Sequence, residues 1–120
     1  MESRKLAPPN SLILVMDPSA RDLPKAMGDS LVSATRSAVA IGCRAEMDGA
    51  TEIRLGHDQE VDPGTAPVFV GQLDTPTGVV SVRTALDEEV LSLKVARERV
   101  TLRVWANDPT EPTVVGIGVS

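Results

Sequence analysis

Val100-Thr101-Leu102-Arg103-Val104-Trp105-Ala106 alternates residue by residue, with Val100, Leu102, Val104 and Ala106 on one side and Thr101, Arg103 and Trp105 on the other. Side chains of a strand point to its two faces in turn, so this stretch predicts a half-buried β-strand whose aliphatic side is core. Directly opposed residues of an antiparallel pair share a face, so each neighbouring apolar run can be tested by whether the loop between them preserves parity. A loop at 96–99 sets Val95 against Val100, Leu93 against Leu102 and Leu91 against Val104. A loop at 86–89 sets Thr84 against Leu91, Val82 against Leu93 and Val80 against Val95. A loop at 107–112 sets Val104 against Val115, Leu102 against Ile117 and Val100 against Val119. The pattern predicts a C-terminal four-strand meander with one buried flank, and it places Val90 and Val114 beside Trp105 and Arg103 on the other flank.

Upstream the same periodicity recurs. Residues 11–16 form a short apolar strand ended by the turn chemistry of Asp17-Pro18-Ser19. Val39, Ile41 and Cys43 then alternate with the small residues Ala38, Ala40 and Gly42, which suggest that something packs closely there. Asp48-Gly49 precedes the alternating Thr51, Ile53 and Leu55, which predicts a hairpin with the loop Met47-Asp48-Gly49. Residues 68–73 form another strand, and Thr75-Pro76-Thr77-Gly78 is a turn joining it to the face of Val80 and Val82. Residues 1–10, with Pro8-Pro9-Asn10, read as a mobile lead-in. The segment 20–35 offers two places for a helix, one over 21–27 and one capped by Asp29 that carries Leu31, Val32 and Thr35. About eight strands with at most one short helix predict one all-β domain over 1–120, a two-layer antiparallel sandwich.

Composition narrows the function. Phe69 and Trp105 are the whole aromatic content, so the core is aliphatic, and the single Cys43 reads as a small buried hydrophobe. A formal net charge of −5 argues against non-specific nucleic-acid binding, which needs cations along a phosphate track, and favours a basic partner. The apolar run at 12–16 is too short for a signal-peptide core or a membrane span, which points to a soluble cytoplasmic protein. Arginine outnumbers lysine nine to three, a usage associated with GC-rich bacterial genomes.

His57, with Asp58, Glu60 and Asp62 close by, is the stretch most like a metal or acid-base site. One histidine without a nearby cysteine falls short of a zinc site, and the spacing lacks the glycine and closing glutamate of a calcium loop, so a solvated acidic loop is expected and no metal or cofactor. No Gly-x-Ser-x-Gly elbow accompanies the serines, and Gly116-Ile117-Gly118 opens no helix that could cradle phosphate. On the outward flank those glycines leave room for a long side chain or another backbone to lie flat. Trp105 has two readings: a loop or the segment 20–35 covers it, or it anchors a partner, with Arg103, Val90 and Val114 around it. The last strand, 113–119, carries no guarding charge and is expected to be an edge open to homodimerisation.

The run Phe69-Val70-Gly71-Gln72-Leu73-Asp74-Thr75-Pro76-Thr77-Gly78-Val79-Val80-Ser81-Val82, followed by residues 91–95 and then Leu102-Arg103-Val104-Trp105, resembles small bacterial all-β proteins of the immunity-like, competence-nuclease-inhibitor type. The resemblance implies an acidic intracellular binder that occupies a basic enzyme surface. The leading expectation is therefore a non-enzymatic protein-binding module, an inhibitor of a basic toxin or nuclease, steered by the acidic stretches 57–62, 86–89 and 107–111. The alternatives are a small-ligand or carbohydrate-binding sandwich with its site near Trp105, and an enzyme using His57 as its acid-base group.

Overall fold

Wherever the sequence alternates or runs apolar, a strand forms and buries its aliphatic flank. The computed structural model, which describes residues 1–24 and 30–120, contains β1 (Glu2–Leu6), β2 (Leu12–Met16), β3 (Val32–Ala34), β4 (Ala38–Gly42), β5 (Thr51–His57), β6 (Phe69–Asp74), β7 (Val79–Thr84), β8 (Glu89–Lys94), β9 (Arg99–Ala106) and β10 (Val114–Val119). One four-residue helix, α1 (Asp58–Val61), follows β5. The strands make two five-stranded sheets, ordered β1-β5-β10-β9-β6 and β3-β4-β2-β7-β8. Every pairing is antiparallel except β5 with β10. The all-β sandwich is thus the observed architecture. Between the layers Ile13, Ile41, Ile53, Leu73, Leu102 and Ile117 are fully buried, and each such side chain contributes roughly 1.5–3 kcal/mol relative to exposure. No described helix is long and apolar enough to cross a membrane.

The strand run at the C-terminus is arranged differently from the expected meander. β8 pairs with β7 in the second sheet, whereas β9 pairs with β10 and β6 in the first, so residues 95–98 pass between layers. The reason is physical: two strands facing one core from opposite sheets satisfy the same parity as two strands side by side. The same ambiguity affects β4 to β5 and β6 to β7, each expected as a hairpin and each a crossing between sheets. At the second of these crossings the Gly78 N–H donates to the Thr75 carbonyl at 2.9 Å, and Gly78 has φ +76, the left-handed conformation glycine supplies without strain. Two of the expected hairpins, β7–β8 and β9–β10, do form and keep the expected faces but shift by two residues, pairing Val82 with Leu91 and Val104 with Ile117. Two residues is the side-chain period of a strand, so the shift leaves the buried flank unchanged.

Three further expectations are corrected. Residues 2–6 are not a mobile lead-in: they form the edge strand β1, with Arg4 opposite Ile53. Residues 32–34 form β3 against β4, with the Gly42 N–H donating to the Leu31 carbonyl at 2.8 Å, so Leu31, Val32 and Thr35 lie on no helix; the expected cap Asp29 lies outside the described residues. The expected helix over 21–27 falls in part on residues 25–29, which lie outside the described residues. Finally, β10 is no edge. It sits between β5 and β9, and the four edges are β1, β6, β3 and β8.

Candidate functional site

The outward flank of the first sheet carries Trp105 and Arg103, which pair across to Gly116 and Gly118. These glycines floor a trough that α1 fills. A Cβ on Gly116 would stand 2.8 Å from Val61 Cγ1, and one on Gly118 would stand 2.5 Å from Asp58 Oδ1 and 2.8 Å from Trp105 Cζ3. Another backbone does lie flat there, as the glycines suggested. Trp105 is only 5% exposed, and its indole N–H donates to the Thr65 carbonyl at 2.9 Å. It is therefore a covered side chain and not an exposed anchor, the cover being α1 and the segment that follows it. Val90 lies on β8 in the other sheet, packed against the core, so it does not neighbour Trp105. Val114 does: with Val61, Pro63 and Trp105 it lines a cleft of about 550 Å³, with Arg54 and Asn107 at its polar side.

The stretch 57–62 is largely exposed to solvent, as expected, but it forms the helical turn α1 and not a loop, and its three carboxylates are engaged in holding it. Asp58 pairs with the Arg103 guanidinium, which also donates to Ser120 Oγ at 3.1 Å. Glu60 receives the Met1 amine at 3.0 Å and the His57 backbone N–H at 3.1 Å. The amine first, then that N–H, lower the Glu60 carboxyl below its ordinary range. Asp62 accepts the Gly64 N–H at 2.7 Å. The His57 side chain is exposed at the helix N-cap. Among the described residues no three His, Cys, Asp or Glu side chains converge in a metal-sized cluster.

A different cluster emerges at the far end of the sandwich from α1. β1, β4, β7 and β9 end there and β2, β5, β8 and β10 begin there, joined by the loops 7–11, 43–50, 85–88 and 107–113. Hydrogen bonds tie these loops together: Asn10 N–H to Glu46 Oε1 at 3.1 Å, Cys43 N–H to the Ser11 carbonyl at 2.8 Å, and Thr51 Oγ1 to the Pro112 carbonyl at 3.2 Å. The loop 85–88 joins them because Thr84 is the register partner of Ile13. This end and its first strand residues hold Glu46, Asp48, Asp87, Glu88, Glu89, Asp108 and Glu111 against Arg44 and Arg83. Seven carboxylates against two guanidiniums equal the formal net charge of the entire chain, −5, and the rest of the sequence is balanced. Asp108 takes the backbone N–H groups of Glu111 and Thr110, which lower its carboxyl, and Arg83 takes Asp87 at 2.8 Å. The Asp48, Glu88 and Glu111 side chains have no partner among the described residues and face solvent.

Sequence reasoning singled out two of these acidic stretches, 86–89 and 107–111, and missed 43–50, because that loop looked like a tight hairpin. Its signal was Glu46-Met47-Asp48, an apolar side chain between two acids, and Met47 is 98% exposed.

No family model and no curated protein matches the sequence. The structure is similar to the crystal structure of ComJ, inhibitor of the DNA degrading activity of NucA, from Bacillus subtilis, with a TM-score of 0.68 and 12% identity, covering 99% of this chain and 94% of that one. At that identity the likeness is one of fold, spanning both sheets. The resemblance carried by residues 69–105 is thus a resemblance of the whole sandwich.

Proposed function

We propose that the protein is an inhibitory binding module that lays its acidic end over the basic surface by which a DNA-degrading enzyme holds phosphate. The observation that carries this reading is the charge distribution, with the whole −5 gathered on the loops of one end. The fold shared with an inhibitor of a DNA-degrading activity supports it. An enzyme that grips DNA must present lysine and arginine along the phosphates, and a fixed array of carboxylates competes for those cations. Such an array also accelerates encounter with a basic partner, and the gain fades as salt rises. The test titrates the protein into DNA cleavage by purified NucA and by the nucleases of the native host. The wild type is expected to slow cleavage, and the triple variant Asp48→Lys, Glu88→Lys, Glu111→Lys to lose the effect together with its salt dependence. Inhibition of neither preparation, or inhibition indifferent to the triple variant, overturns the reading.

A second reading rests on the cleft beside Trp105, whose size, about 550 Å³, suits a small ligand. Quenching of the lone tryptophan by a panel of glycans and small metabolites, with no effect on DNA cleavage, would favour it.

A further inference from the structure

Two of the most exposed large apolar side chains among the described residues, Met47 at 98% and Leu86 at 64%, both stand at the acidic end. Each has acids beside it: Met47 lies between Glu46 and Asp48, and Leu86 is followed by Asp87 and Glu88. Each also sits on a turn that is locked in place. Around Met47 the Asp48 N–H donates to the Ala45 carbonyl at 2.9 Å, the Gly49 N–H to the Glu46 carbonyl at 3.3 Å, and Glu46 Oε1 receives the Asn10 N–H at 3.1 Å. Around Leu86 the Thr84 hydroxyl oxygen accepts the Leu86 N–H at 3.2 Å, Thr84 and Glu88 pair through the backbone at 2.9 Å, and the Arg83 guanidinium reaches both the Asp87 carboxylate at 2.8 Å and its carbonyl at 3.1 Å.

We infer that Met47 and Leu86 are two preorganised apolar anchors, which enter apolar recesses in the basic surface of the enzyme that the acidic end covers. The inference rests on the proposed inhibition and names what makes the complex last. Carboxylates in solvent guide approach and choose a basic partner, but exposed charge pairs contribute little to holding it. Desolvated apolar side chains carry residence time, and a rigid turn loses less conformational freedom on docking than a mobile one. Methionine suits the task because its unbranched, polarisable chain adapts to an irregular recess. The flanking acids specify the occupant: an apolar recess in a neutral or acidic surface would leave Asp48 and Glu88, without partners among the described residues, facing no cation, whereas one set among lysines and arginines would pair them.

The experiment compares the wild type with Met47→Ser/Leu86→Ser and with Met47→Leu as inhibitors of DNA cleavage by purified NucA and by the nucleases of the native host, across ionic strengths. Both side chains lie in solvent, so the serine variants are expected to melt like the wild type. The expected result is a loss of inhibition of about tenfold or more in the double serine variant, seen as faster dissociation with the salt dependence of association unchanged, and retention within about twofold in Met47→Leu. Wild-type inhibition with an unaltered double variant overturns the anchors and leaves the acidic end in place. A wild type that inhibits neither preparation overturns the reading itself, and the anchors with it.

Discussion

Gly118 lies directly beneath Asp58: a Cβ at Gly118 would stand 2.5 Å from Asp58 Oδ1 and 3.2 Å from its Cα. The neighbour above is helix backbone as well as a carboxylate, so it cannot swing aside as a flexible side-chain tip would. Gly118→Ala is expected to destabilise the fold by about 1–3 kcal/mol through overpacking, and to loosen α1 from the sheet. Urea denaturation followed by tryptophan fluorescence measures both, because Trp105 Cζ3 shares the same space.

Asp17 is 1% exposed, where β2 meets the turn before β7. Burial raises its carboxyl, but donors from Ser19 at 2.9 and 2.7 Å and from Thr77 at 2.9 and 2.8 Å outweigh that, and the group is left below its ordinary value. A lowered folded value means that the stabilisation is complete above the unfolded carboxylate pKa of about 3.9 and is lost as pH falls through the folded value. Asp17→Asn is expected to cost about 2–4 kcal/mol at neutral pH and to flatten the acid limb of a stability–pH curve. An acid limb of unchanged steepness would show that other carboxylates govern it.

Trp105 combines a buried ring with one hydrogen bond to Thr65. Trp105→Phe should lose about 1 kcal/mol for the missing donor and some packing, whereas Trp105→Ala should lose about 3–5 kcal/mol. The wild-type emission should be that of a shielded indole, and should shift red on unfolding.

Cys43 is buried, with its thiol pushed up to about 12 by burial alone. It should resist aromatic disulfide reagents at pH 8 in the native state and react once the sandwich opens. Rapid labelling of the folded protein would show that the β4 end frays.

The alternating residues revealed which side chains are buried but not which sheet holds them. Leu91, Leu93 and Val95 were assigned the correct flank from parity, since parity records only which way a side chain points. Their sheet depends on whether the chain between Val95 and Val100 turns back or climbs to the other layer, and Ala96-Arg97-Glu98-Arg99 contains no glycine or proline to distinguish these. β1 escaped notice because Glu2, Arg4 and Lys5 lack an apolar alternation; its strand state comes from the open edge of β5, a tertiary cause. Gly116 and Gly118 were readable as a floor for something lying flat, while what lies there was not, because α1 spans only four residues. The acidic end was half visible, since charge can be counted in a sequence whereas the gathering of 43–50, 85–88 and 107–113 at one end requires the topology.

The central position of β10 makes the first sheet depend on one strand. The strand that comes last of the ten in sequence joins β1 and β5 on one side to β9 and β6 on the other, so without it the first sheet falls into two separate pieces. A chain truncated before Val114 leaves β5 and β9 each with an open backbone edge, and it is expected to be cut by protease far faster than a chain that includes Val119.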